Sequence, residues 1–166
     1  MTETKRFFKV VSVKTGKKGG KKMVSAVISN PYLKQQYLVK KWVKAKVGGF
    51  LVFEKSQQAI SFIMREYNEN THFVVYECAV KGYKQIGGFT DAVFEICIDE
   101  DTTFQKLKEA WEGDFTSEPT LKKKDRKSTI MGIGDHFPCG SHAYEEIKLT
   151  RKIAEKKGCK LLTYKR

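Results

Sequence analysis

Residues 144–153 read YEEIKLTRKI, and whether they form a helix or a strand decides the fold. Propensity alone favours a helix, because Glu, Lys, Leu and Arg are good helix formers. The alternation points the other way. Ile147, Leu149 and Ile153 share one parity, while Glu146, Lys148, Thr150 and Lys152 share the other. Period-two alternation puts apolar side chains on one face of a half-buried strand. The spacing therefore predicts a strand here, a turn at AEKKG (154–158) and a last strand at CKLLTYKR (159–166). A terminal helix is the alternative to this C-terminal hairpin.

The same reading extends upstream. RFFKVVSV (6–13) and MVSAVIS (23–29) are β-branched and aromatic, and KTGKKGGKK (14–22) joins them with five Lys and three Gly. This predicts a hairpin with a long basic tip. YLVKKWV (37–43) reads as a strand with Tyr37, Val39 and Val43 on one side and Leu38 and Trp42 on the other; FLVF (50–53) reads as a short buried strand. The period then changes. In EKSQQAISFIMREYNEN (54–70), Ala59, Ile60, Ile63, Met64 and Tyr67 recur at helical spacing, with Ser56 as the expected N-cap. HFVVYECAV (72–80) and AVFEICI (92–98) read as strands. DEDTTFQKLKEAWEG (99–113) reads as a second helix, capped by Thr102 or Thr103, with Phe104, Leu107 and Trp111 as its apolar stripe. DFTSEPTLKKKDRKST (114–129) is polar and Pro-broken, and reads as a loop or mobile insertion. The expectation is one α+β domain over residues 1–166: a mostly antiparallel, twisted sheet with two helices packed on it, a basic hairpin loop at 14–22 and the insertion at 114–129.

A chain of 166 residues can bury a real core without staples, and 40% hydrophobic content fits a globular protein. No apolar run is long enough to span a membrane, and MTETKRFF lacks a signal peptide's apolar centre. An intracellular site is expected, cytoplasmic or within a virus particle. The four cysteines (Cys78, Cys97, Cys139 and Cys159) include no C-x-x-C pair, and Cys78 and Cys97 sit in apolar runs as buried thiols would. The charge balance is the loudest global signal: 32 Lys and Arg against 19 Asp and Glu, a net +13. A field of that sign attracts nucleic acid, anionic membrane or acidic protein surfaces. Lysine predominates, and its hydrated point charge suits phosphate contact without base reading.

Three stretches, YLVKKWVKAKVGGFLVFEKSQQAISFI, VVYECAVKG and FPCGSHAYEEIKLTRKI, together resemble a domain of no assigned activity found in bacteriophage and giant-virus proteins. In that group a K-W-V-K-A strand leads to a G-x-L-F-V-F strand, a helix, and a V-Y-E-C-E-V strand. The group closes on P-x-G-T-x-x-A-D-x-V-K-L. The likeness spans residues 37–82 and 137–153. Here Ser141 stands at the Thr position of the closing motif and Tyr144-Glu145 replaces Ala-Asp. The resemblance implies a single fold and a viral source, and brings no catalytic residues with it.

GIGDHFPCGSH (132–142) concentrates His136, Cys139 and His142. They supply at most three zinc ligands, with a fourth needed from Cys159 or His72, and Asp135 is placed to orient His136. Cys139 with a neighbouring imidazole is the alternative, a nucleophile and its base. The preferred reading is a turn eased by Gly132, Gly134 and Gly140. KTGKKGGKK fails the phosphate-loop pattern, because Lys22 stands where Ser or Thr would hold Mg²⁺. KKWVKAK (40–46) interleaves Lys with Trp42 as a nucleic-acid platform does, although Trp42, Tyr83 and Phe89 are expected to be structural. Glu77 within VYEC is the one carboxylate that a nucleotide-directed transfer chemistry would use. The leading expectation is a non-enzymatic basic binding protein, a virion component that contacts nucleic acid or acidic protein surfaces. Lys17, Lys18, Lys21, Lys22, Lys122, Lys123, Lys124 and Arg126 would carry that contact, with no cofactor. The alternative is a nucleotide-handling or Cys/His-dependent enzyme centred on 132–142.

Overall fold

The computed structural model describes residues 5–26, 31–66, 70–84, 103–105, 108 and 141–165. Its elements are β1 (Phe7–Thr15), β2 (Lys21–Ser25), β3 (Gln36–Tyr37), β4 (Trp42–Lys44), β5 (Phe50–Phe53), α1 (Ser56–Arg65), β6 (His72–Lys84), β7 (Ser141–Lys157) and β8 (Lys160–Thr163). All strands join one antiparallel sheet. β1 pairs with β6, β6 with β7, β7 with β5, and β5 back to β1, so the sheet closes into a ring. The β1–β5 seam is a single pair, Phe8 opposite Phe53.

Alternation along these strands buries both faces of the sheet. Phe7, Val11, Tyr37, Phe50, Val52, Val74, Cys78, Ile147 and Leu149 fill the inside of the ring. The opposite parity supplies Val10, Phe53, Phe73 and Val75, which pack on the outer face against Ala59 and Ile63 of α1. Burial of apolar side chains on both sides is the main stabilising term. In α1, Ala59 and Ile63 of the expected stripe are buried and Ile60 packs beside them, but Met64 is exposed and Tyr67 lies outside the described residues; Lys55 rather than Ser56 is the N-cap, its N–H donating to Gln58 Oε1 at 3.0 Å. At the other end Lys156 Nζ donates to the carbonyls of Ile63 (3.0 Å) and Glu66 (2.5 Å).

The expectation of two helices packed on the sheet is corrected. Among the described residues, strand makes up 55% and helix 13%, and one helix, α1, packs on the sheet. Acidic N-terminal charge and an apolar stripe at 99–113 are local signals; of that stretch only residues 103–105 and 108 are described, and Phe104, Gln105 and Lys108 are helical but none of the four is buried. The strand expected at 92–98 and the insertion at 114–129 lie outside the described residues.

Two further expectations change in detail. YLVKKWV is two short strands separated by a turn at Val39–Lys40, so β3 pairs with β2 and β4 with β7. The C-terminal hairpin forms, but AEKKG is mostly strand, and the turn falls at Gly158 (φ 57°) and Cys159. β7 carries two bulges, opposite Val75/Tyr76 and Glu77/Cys78, each adding one residue and bending the strand. Thr150, extra at one bulge, donates its hydroxyl to the Glu77 carbonyl at 2.9 Å. Gly82 has φ 65°, and a Cβ there would lie 2.9 Å from that of Glu145 on β7. Only glycine suits that place in β6. No helix among the described residues is long and apolar enough to cross a membrane.

Candidate functional site

The β1–β2 hairpin extends beyond the ring as an arm of one charge. Its strands run to Thr15 and resume at Lys21, and the turn is closed by Gly16 N–H to Gly20 O (2.8 Å) and Gly19 N–H to Gly16 O (2.9 Å). Gly19 adopts φ 77°, which L-residues rarely occupy. Lys14, Lys17, Lys18, Lys21 and Lys22 are all exposed on this arm. Lys14 lies directly across from Lys22, and like charges in that position oppose pairing. The Lys34 ammonium beside Lys14 holds that amine below the ordinary lysine value.

At the base of the arm lies a cavity of about 540 Å³. β1 and β2 contribute Ser12, Val13, Lys14, Thr15 and Lys21 to its wall. Asn70, Thr71, His72 and Lys157 complete it, brought there because His72 pairs with both Val13 and Lys157. Three lysines, Ser12, Thr15, Thr71 and Asn70 are among the residues that line this one space, and no carboxylate residue is. Such a donor set suits phosphate oxygens.

Behind the cavity, His72 Nε2 meets Glu155 Oε2 at 2.6 Å. Lys152 Nζ reaches the other carboxylate oxygen at 3.1 Å, and the Tyr164 hydroxyl donates to that same oxygen. The Tyr164 hydroxyl, His72 and Lys152 together hold the Glu155 carboxyl down at about 2 against the cost of its burial. The carboxylate thus orients the imidazole at the cavity wall.

A second exposed feature sits at β4. Leu38, Val39, Lys40, Lys41 and Trp42 are five consecutive exposed residues. Lys40 has φ 66°, the left-handed region, which costs an L-residue about 1–2 kcal/mol. Its N–H donates to Leu149 O at 2.8 Å, tying the turn to β7. Trp42 was expected to be structural, in the core or on a neighbouring strand; it is 38% exposed at the end of the sheet order, and lies across from Lys148 of the neighbouring β7. Lys81 Nζ lies 4.2 Å and Lys148 Nζ 5.1 Å from its ring centroid.

Of the lysines expected to act, Lys17, Lys18, Lys21 and Lys22 are brought together on the arm, and Lys21 also lines the cavity. Lys122, Lys123, Lys124 and Arg126 lie outside the described residues, as do His136, Cys139 and Phe89. His142 is on β7, edge-on to Phe7 and 3.5 Å from Glu54. Cys159 is exposed, and His72 is engaged by Glu155 at the far end of β7. Among the described residues, no three His, Cys, Asp or Glu side chains gather as metal ligands. Cys78 is buried as expected, and burial pushes its thiol up to about 12. Glu77 is bound by Arg151 (2.8 Å) and Arg6 (3.8 Å). Tyr83, expected to be structural, is 63% exposed and stands edge-on to Tyr144. His72, Lys157, Asn70 and Lys34 were not singled out as one site. His72 and Lys157 lie far apart in sequence, and strand pairing alone brings them together.

No family model, curated protein or solved structure matches the chain.

Proposed function

We propose that this protein binds the phosphate backbone of nucleic acid, without reading sequence, through the β1–β2 arm and the cavity at its base. The observation that carries the reading is the meeting of Lys14, Lys21 and Lys157 around one cavity that no carboxylate lines. The opposed Lys14 and Lys22 and the neighbouring Lys34 add to it. Clustering like charges destabilises the free protein, and a polyanion relieves it. A setting inside a virus particle, which the resemblance to the phage and giant-virus domain implies, would sum such lysine contacts over many copies.

The test is a salt titration of affinity for nucleic acids of mixed sequence. Log affinity should fall linearly with log salt, with little difference between sequences. Replacing Lys14, Lys21 and Lys157 together by Gln should flatten the slope by about three contacts' worth. A slope near zero, or one unchanged by the triple replacement, rejects the site.

A further inference from the structure

We propose that Trp42 is a stacking platform for the bases of single-stranded nucleic acid. Lys40, Lys41, Lys81 and Lys148 around it would take the adjoining phosphates. The inference rests on the polyanion reading above and adds to it a second contact and a preference for single strands. Three observations meet at this place. Leu38, Val39 and Trp42 stay in water although the ring interior is otherwise well filled with apolar groups. The turn holding them carries Lys40 in a left-handed conformation that glycine would adopt without strain. The indole is flanked by two ammonium groups, from β6 and β7.

The arrangement has a direction. β4 pairs with β7, and β6 lies beyond β7, so Lys148 and Lys81 approach Trp42 from the sheet side. On the other side of β4 no strand follows among the described residues. An indole 38% exposed with two ammonium groups beside it suits a nucleobase whose phosphates need neutralising. Duplexes keep their bases stacked inside and present no free face to the indole. Of the acidic groups nearby, Glu145 is bound by Lys44 at 2.9 Å, and Glu146 lies across from Lys44 on one side and Lys81 on the other.

The chain has two tryptophans, Trp42 and Trp111. In a Trp111→Phe background, short oligo(dT) should quench the emission of Trp42 to saturation, and a duplex of equal length should leave it nearly unchanged. Trp42→Ala should weaken oligo(dT) binding by about 5- to 150-fold, the range set by one stacked base. It should weaken duplex binding less than twofold, with Trp42→Phe between the two. An unchanged thermal melt shows that the variant is folded; if it melts early, the quenching experiment and Trp42→Phe decide alone. Equal losses on single strand and duplex, or no quenching by oligo(dT), overturn the inference. Equal quenching by poly-glutamate overturns it in favour of an acidic protein partner. Failure of the Lys14/Lys21/Lys157 replacement to alter binding, with Trp42→Ala still costly, would instead sink the arm and keep the platform.

Discussion

Lys9 is a cation inside an apolar ring. It is 7% exposed, donates to Leu51 O at 2.8 Å across the sparsely paired β1–β5 seam, and lies over the rings of Tyr37 and Phe50. Burial pulls its amine down from 10.5 to about 8. A lowered lysine favours the unfolded, protonated chain below that value, so stability rises as pH climbs from 8 toward 10.5. The Cys78 thiol works in the opposite sense: raised from 9 to about 12, it makes stability fall once the unfolded thiol ionises. The two oppose each other above pH 9, leaving a window between 8 and 9. Urea unfolding should show stability increasing there by about 1 kcal/mol in the natural chain. In Lys9→Met the increase should vanish and a decline should begin near pH 9. Lys14 titrates in the same sense as Lys9 but is exposed, and solvent screens it. The parity of Lys9 with Phe7 and Val11 is visible in RFFKVVSV. That this side is sealed is not visible, since the seal is made by β5 and β7 from later in the chain.

Among the elements, β7 shows most clearly what pattern reveals and what it hides. Ile147 and Leu149 alternate as a strand requires, and both are buried. Beyond them the bulges shift the phase, so Ala154 rather than Ile153 is the fully buried residue. AEKKG reads as a turn because its residues suit solvent and it ends in glycine. Yet Glu155 is held by His72, and Lys156 caps α1; both partners lie more than 80 residues away. Local composition carries no trace of such partners. The Lys156 contact has a measurable weight. Its ammonium meets two carbonyls at the negative end of the helix, where a cation is favoured. Lys156→Met keeps the buried stem but strands those acceptors. It should lower unfolding free energy by about 2 kcal/mol, read from denaturant midpoints at unchanged m.

At the scale of the whole molecule, the net +13 states that a polyanion is welcome and does not say where. The arm was legible, because its five lysines fall within the single stretch KTGKKGGKK. The cavity was not, since His72 and Lys157 reach it only through the pairing of β6 with β1 and β7. The exposure of Trp42 was not legible, because the sequence does not say that β4 ends the sheet order. Charge concentrated for binding should act against the resting fold. Lys22→Glu would replace the like-charge pair with Lys14 by an attractive one. It should raise stability by about 0.2–1 kcal/mol in thermal or urea melts while weakening nucleic-acid affinity. Loss of both stability and affinity would mean that the arm is not under electrostatic strain.

The closing strand also sets a timetable. β7 bonds to β4, β5, β6 and β8, and the first three of these precede it in the chain. Between Lys84 and Ser141 a ribosome adds a further stretch of polypeptide, which takes on the order of several seconds. Throughout that interval the free edges of β4, β5 and β6 await their shared neighbour. During synthesis these unsatisfied edges, more than the finished ring, are where a chaperone would be needed.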